Sequence, residues 1–73
     1  LMPKTIRIDH PIKVDKKPLY AKVKRMISNT YKVNFYYGKE HLGDGTIHAK
    51  TFQQLINITR TQLQKFLKEI IER

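Results

Sequence analysis

Residues 31–37 constrain the fold of this chain more than any other segment. Aromatic and apolar residues alternate there with more polar ones, in the order Tyr31, Lys32, Val33, Asn34, Phe35, Tyr36 and Tyr37. A period of two in β-branched and aromatic residues predicts a β-strand with one apolar face. We therefore expect a sheet with a second layer packed over one side of it.

The chain is short for a fold with two layers. It has 73 residues, no cysteine and 40% hydrophobic residues. This length predicts one domain spanning residues 1–73, near the size limit for a fold held by a single core. Without cysteine, disulfides and thiolate metal sites are excluded. No apolar run approaches the roughly 18 residues that a membrane span needs, so we expect a cytoplasmic protein with no membrane partner.

Two elements are predicted before the strand at 31–37. Residues 5–14 alternate in polarity and predict a strand, which Pro11 confines to a sheet edge because proline cannot donate to a ladder. Asp15 is a typical N-cap and predicts a basic helix after it. The apolar stripe of this helix comprises Leu19, Val23, Met26 and Ile27.

The segment after residue 37 is rich in glycine. Residues 38–45 hold all three glycines of the chain and predict the connection of a hairpin. We expect a mobile tip around residues 39–41, a turn at Asp44–Gly45 and a shorter strand over 46–50. The sheet would then have about three strands.

The last third of the chain predicts helix. Thr51-x-x-Gln54 and Thr59-x-x-Gln62 each fit a capping box, in which a threonine hydroxyl accepts from a backbone amide and the glutamine reaches back. The second box predicts a break near Asn57 and two helices, over 52–56 and 60–72. One continuous helix is the alternative, because the apolar residues of this segment also share a single helical stripe.

The predicted fold class is α+β. A small antiparallel sheet of about three strands, one basic helix and a C-terminal helical segment packed over the sheet account for the whole chain. The predicted core comprises Ile6, Ile8, Leu19, Val23, Met26, Ile27, Val33, Phe35, Ile47, Phe52, Leu55, Ile56, Leu63, Phe66, Leu67 and Ile70.

Residues 51–67 resemble the helix-turn-helix of transcriptional regulators. Phe52 and Ile56 match core positions of the first helix, and Asn57 stands where that family has its turn glycine, followed by a buried Ile58. The resemblance implies a small DNA-binding regulator whose second helix meets base edges in the major groove. The residues that it would present to DNA are Arg60, Thr61, Gln62, Gln64 and Lys65.

Residues 31–52 are similar to the arm-type DNA-binding domains that precede phage and transposon integrases. The likeness lies in the strand–turn–strand pattern that begins at Tyr31 and in Lys50-Thr51-Phe52 before the helix. It implies a three-stranded sheet that enters the major groove and is backed by a helix.

Positive charge is concentrated in the first half of the chain. Residues 1–39 hold ten Lys and Arg against two Asp, a balance of +8, and residues 40–73 hold five against four acidic residues, a balance of +1. A small domain with this asymmetry has one strongly positive face, and the commonest partner of such a face is a nucleic-acid backbone. We predict phosphate contacts from Lys13, Lys16, Lys17, Lys22, Lys24, Arg25, Lys32 and Lys39.

Two alternatives to duplex DNA binding stay open. Tyr36 shares its side of the strand with Lys32 and Asn34, a combination that can stack a base of single-stranded DNA or RNA. The basic face would equally suit a protein-interaction module or inhibitor that docks on an acidic partner. A homodimer is also open, since a small domain often doubles its footprint to read two half-sites.

Catalysis has no support in the sequence. His10, His41 and His48 are scattered, no cysteine nucleophile exists and no Ser–His–acid set can be placed. Histidine spacing typical of metal sites is absent, and the turn at residues 43–45 lacks the Lys-Ser/Thr of a phosphate-binding loop. We predict a non-enzymatic regulator or accessory factor that needs no metal or cofactor.

Overall fold

A computed structural model describes residues 4–73 as four strands and one helix. The strands are β1 (Thr5–Asp9), β2 (Leu19–Arg25), β3 (Thr30–Tyr37) and β4 (Glu40–His48), and the helix α1 covers Phe52–Ile71. The strands pair antiparallel in the order β1-β2-β3-β4. The α+β class, the antiparallel sheet and the C-terminal helix are confirmed, and the sheet has four strands rather than about three.

Two of the predicted strands have the expected character. In β3, Val33, Phe35 and Tyr37 are buried on one side, as the alternation predicted. β1 lies at a sheet edge, and it ends at Asp9, two residues before Pro11. The proline is therefore outside the strand, where its missing N–H removes no ladder hydrogen bond.

The basic helix predicted after Asp15 is wrong, because this segment is the strand β2. Leu19, Ala21 and Val23 are buried on one side of this strand, and Tyr20 and the exposed Lys22 and Lys24 lie on the other. Leu19 and Val23 are four residues apart, a spacing that places two side chains on the same side of a helix and of a strand alike. The lysines of this segment consequently belong to the sheet.

Asp15 is a turn residue and not a helix cap. Asp15 and Lys16 have positive φ angles of 50° and 66°, and Val14 and Lys17 exchange two backbone hydrogen bonds across them, of 3.1 and 3.0 Å. A two-residue loop with both residues in the left-handed region has the form of a type I′ turn, whose twist matches that of paired strands. The turn directs the chain back along β1 as β2.

The predicted core residues Met26 and Ile27 lie in the β2–β3 turn instead. Their exposed fractions are 54% and 76%. Thr30 N–H donates to the Ile27 carbonyl at 2.9 Å, and Asn29 has a φ of 58°. A tight turn that ends in a left-handed residue is typical of short hairpin loops with a bulge, and it carries its side chains into solvent.

The mobile tip predicted between β3 and β4 is a tight turn at Gly38 and Lys39. Gly38 has a φ of 58°, and strand pairing resumes at Glu40. His41 is accordingly a strand residue. The turn predicted at Asp44–Gly45 is also wrong, because both residues lie inside β4.

α1 is one helix where two were predicted. Thr51 is its N-cap, with Oγ1 accepting from Gln54 N at 3.1 Å, and Gln54 Oε1 accepts from Lys50 N at 2.8 Å. Thr59, the second predicted cap, is completely buried in mid-helix. The continuous apolar stripe outweighs the local capping signal, so residues 51–67 form no helix-turn-helix.

The core lies between α1 and one face of the sheet. The Phe35 and Phe66 rings meet there with centroids 4.8 Å apart, and Phe52, at the start of α1, is 56% exposed rather than buried. Predicted core residues that are buried are Ile8, Leu19, Val23, Val33, Phe35, Ile47, Leu55, Leu63, Leu67 and Ile70. Ile6, Ile56 and Phe66 pack at the margin of this cluster, and Ala21 and Ala49 are further members.

Replacing Lys16 by glycine should stabilise the fold. A left-handed φ costs a residue with a β-carbon about 1–2 kcal/mol, and glycine loses about 0.5–1 kcal/mol of this gain through its more flexible unfolded state. We expect Lys16→Gly to raise the free energy of unfolding in urea by about 0.5–1 kcal/mol. Lys39→Gly removes the same charge without relieving a left-handed φ, and an equal gain in that control would contradict the strain argument.

Replacing Thr59 by valine should also stabilise the fold. Within residues 4–73 the buried Thr59 hydroxyl has no hydrogen-bond partner, and a buried unpaired polar group costs about 1–3 kcal/mol. Valine has nearly the same shape, so we expect Thr59→Val to raise the free energy of unfolding by about 1 kcal/mol. The matched control is Thr61→Val, since the exposed Thr61 hydroxyl donates to the Asn57 carbonyl at 2.9 Å; its effect should stay within about 0.5 kcal/mol.

Candidate nucleic-acid interface

α1 covers one face of the sheet, and among the described residues nothing covers the other, which we term the open face. Its side chains come from alternate positions of all four strands. They are Thr5, Arg7, Asp9, Tyr20, Lys22, Lys24, Thr30, Lys32, Asn34, Tyr36, His41, Asp44, Thr46 and His48.

The strand register arranges the open face in three rows that cross the sheet. The first row is Thr5, Lys24, Lys32 and Thr46. The second row is Arg7, Lys22, Asn34 and Asp44, and the third row is Asp9, Tyr20, Tyr36 and His41. An irregularity in the ladder between β3 and β4 gives β4 one extra residue there, which keeps His41 opposite Tyr36.

Lysines occupy the middle of the open face. Lys24 lies directly opposite Lys32 on the neighbouring strand, and Lys22 follows on the same side. The central strands β2 and β3 contain no Asp or Glu. Over residues 4–73 the salt bridges join Arg7 to Asp9 and Arg73 to Glu40, so these three lysines have no carboxylate partner in that part of the chain.

A row of stacked side chains closes one end of the open face. The Tyr20 and Tyr36 rings are nearly parallel with centroids 5.3 Å apart, and the Arg7 guanidinium lies 3.8 Å from the Tyr20 centroid. His41 meets Tyr36 edge-on at 5.3 Å. Tyr20 is consequently only 9% exposed although no helix covers it.

Two partners orient the Arg7 guanidinium. Nε donates to Asp9 Oδ1 at 2.8 Å and Nη2 donates to Asp9 Oδ2 at 3.1 Å. The hydrogen bond with Asp9 raises the pKa of Arg7 above its ordinary value. Arg7 and Tyr20 were not among the predicted site residues. The signal that could have found them is a period of two, which places Arg7 between the apolar Ile6 and Ile8 and places Tyr20 on the same strand side as Lys22 and Lys24.

The other predicted basic residues lie around the ends of the sheet. Lys16 and Lys17 are in the β1–β2 turn and Lys39 is in the β3–β4 turn, and a meander brings these two turns to the same end. Gly38 N donates to the Pro18 carbonyl at 2.9 Å, which joins the two turns. Lys13 is exposed just ahead of the β1–β2 turn, and Arg25 is exposed at the opposite end of the sheet, where β2 finishes.

The residues predicted to read DNA from a recognition helix do not join the open face. Arg60, Thr61 and Lys65 are exposed on α1, on the other side of the sheet. Gln62 is half-buried on α1, and Gln64 is occupied in a hydrogen bond with a buried histidine. The lysines of the sheet and the cations of α1 therefore lie on opposite sides of the domain.

His10 connects the segment after β1 to α1. Its Nδ1 accepts from Ile12 N at 3.0 Å, so the ring proton is on Nε2, which donates to Gln64 Oε1 at 2.8 Å. The histidine is 9% exposed. Gln64 thus has a structural partner rather than a free amide directed to a ligand.

Three findings bear on other classes of function. Over residues 4–73, His, Asp and Glu side chains nowhere gather in threes as a metal site would require. In the same range, no helix combines the length and apolar character needed to cross a membrane. No protein-family model, curated protein or solved structure matches this chain.

Reversing the charge of Lys32 should stabilise the folded domain. Like charges directly opposite each other destabilise a sheet, and an opposite-charge pair contributes about 0.2–1 kcal/mol. We expect Lys32→Glu to raise the free energy of unfolding by about 0.5 kcal/mol at low salt, with the gain shrinking as salt is added. Arg60→Glu changes the net charge equally on α1, so a similar gain there would indicate a general charge effect.

Proposed function

We propose that this chain is a non-enzymatic DNA-binding domain that contacts the duplex through the open face of its sheet. It would act as a small regulator or accessory factor. The observation that carries the proposal is the cross-strand pair Lys24–Lys32, with Lys22 beside it and without carboxylate partners in the described chain.

The energetics of the lysine pair favour an anionic partner. Two opposed cations reduce the stability of the sheet, and a domain of this size has little stability in reserve. A row of phosphates would supply the missing negative charge and release condensed counterions on binding. The unfavourable arrangement in the free protein is thus favourable in a complex with nucleic acid.

Two neighbouring strands of the sheet suit the major groove. Strands lie about 4.8 Å apart, so the four strands together span about 14.4 Å between the outer axes, whereas the lysine-bearing pair β2 and β3 spans about 4.8 Å. The major groove is about 12 Å wide and admits a two-stranded β-ribbon. α1 packs against one face of the sheet to form the core, and the open face would contact the DNA.

The aromatic row favours a duplex over a single strand. Stacking an unpaired base requires a free ring face. Both faces of Tyr20 are covered, by Arg7 and by Tyr36, and Tyr36 has one face against Tyr20 and a contact with the edge of His41. The row presents ring edges and polar groups, which suit a groove better than a splayed base.

Salt dependence of DNA binding tests the proposal. Each phosphate contact contributes a slope of about −0.9 to log K against log salt. We expect replacement of Lys22, Lys24 and Lys32 by glutamine to reduce the magnitude of the slope by about 2–3, measured by fluorescence anisotropy with a mixed-sequence duplex. The matched control replaces Arg60, Lys65 and Lys68 of α1 by glutamine, and its slope should change by less than about 1.

Three outcomes would contradict the proposal. A larger effect of the α1 control would place the DNA on the helix side. A preference for single strands that is lost in Tyr36→Ala but kept in Arg60→Ala would favour base stacking on the sheet. Absence of salt-dependent binding to either form of DNA would favour a module that docks on an acidic protein. Sedimentation of the free and bound protein would show whether a homodimer forms.

A further inference from the structure

We propose that Arg7 determines sequence specificity by donating two hydrogen bonds to a guanine in the major groove, with Asp9 as its positioning residue. The inference rests on the proposed function, because it names what one part of the open face reads. The lysines would hold the phosphates, and Arg7 would distinguish one base pair from the others.

The hydrogen bonds of Arg7 leave a defined edge of its guanidinium unused. A guanidinium has five N–H groups in a fixed plane. Asp9 takes the hydrogen on Nε and one hydrogen on Nη2, in two parallel bonds of 2.8 and 3.1 Å. The other Nη2 hydrogen and one on Nη1 point in parallel along the neighbouring edge.

The unused edge matches one base. Guanine presents two acceptors side by side in the major groove, O6 and N7, and an arginine that spans both is the commonest specific contact between protein and DNA. Adenine offers an acceptor beside a donor at the corresponding positions, so it cannot accept two hydrogen bonds from the same fork. Arg7 held in this orientation therefore selects guanine.

The guanidinium is held on its flat side as well as on its edge. It lies 3.8 Å from the centroid of the Tyr20 ring. Tyr20 is fixed in turn, because its hydroxyl donates to the Gly38 carbonyl at 2.9 Å and its other face stacks on Tyr36. Arg7 thus has little rotamer freedom left to lose on binding, which is the cost that preorganisation avoids.

The neighbouring charges favour a base over a phosphate. The Asp9 carboxylate, 48% exposed, sits beside the Arg7 guanidinium and would repel a phosphate that approached the same place. A base edge carries no net charge, and a carboxylate can accept from the amino group of cytosine. The Arg7–Asp9 pair is therefore suited to the groove floor. Lys22, whose Nζ lies 5.3 Å from the Tyr36 ring centroid and has no carboxylate partner within residues 4–73, is suited to the backbone.

Selection from a randomised duplex library tests the inference. The wild-type protein should enrich duplexes that share a fixed guanine, and changing that G·C pair to A·T should weaken binding tenfold or more. In Arg7→Lys this discrimination should fall below threefold, and in Asp9→Asn it should be intermediate. Lys24→Gln is the control, because loss of a phosphate contact should weaken binding to both duplexes by the same factor. Circular dichroism would verify that each variant is folded.

The outcomes separate the inference from the function on which it rests. If the wild type binds duplexes with steep salt dependence but Arg7→Lys keeps the guanine preference, or weakens all sequences equally, the inference is overturned and the DNA-binding proposal stands. If the wild type binds no duplex at all, both are overturned.

Discussion

The packing of one apolar helix stripe against one face of the sheet determines the rest of this structure. Leu55, Leu63, Leu67 and Ile70 supply most of the helix side of the core. Since residues 4–73 form one helix and one sheet, the helix can cover one face of the strands and not both. The second face of the sheet is left to solvent, and polar side chains occupy it.

The two faces of the sheet contribute differently to the stability of the domain. The face of the sheet that packs against α1 contains the residues that exclude water. The open face contains the opposed lysines, which weaken the sheet to which they belong. The buried Thr59 hydroxyl and the left-handed Lys16 weaken the fold further. Thr59 lies on α1, on the other side of the sheet from the open face. The cost of its unpaired hydroxyl is therefore not connected with the open face.

The sequence predicted the parts of the fold in which one periodicity is unambiguous. The alternation predicted over residues 31–37 lies within β3, and the buried stripe of α1 runs from Leu55 to Ile70, about four turns. β2 was predicted as a helix because the four-residue spacing of Leu19 and Val23 fits a helix and a strand alike. Met26 and Ile27, which extended the predicted helical stripe, lie in the β2–β3 turn. A non-glycine type I′ turn at Asp15 and Lys16 leaves a weak signal, since turns of this kind usually contain glycine.

The sequence predicted which lysines belong to the candidate site, but it did not predict where they lie relative to one another. The lysines of residues 22–32 were expected on a helix and a strand, and only the register of β2 with β3 brings Lys24 opposite Lys32. The orientation of Arg7 depends on contacts with Asp9 and Tyr20 across two strands. Contacts of this kind cannot be inferred before the pairing of the strands is known.

The meander order of the strands has a consequence for how the domain assembles. Each strand pairs with its neighbour in the chain, so the contacts of the sheet have low sequence separation, a property of proteins that fold fast. Formation of the β2–β3 hairpin requires two lysines to approach each other. Electrostatic repulsion between Lys24 and Lys32 therefore opposes the formation of one of the three hairpins, and this opposition weakens as salt screens the two charges.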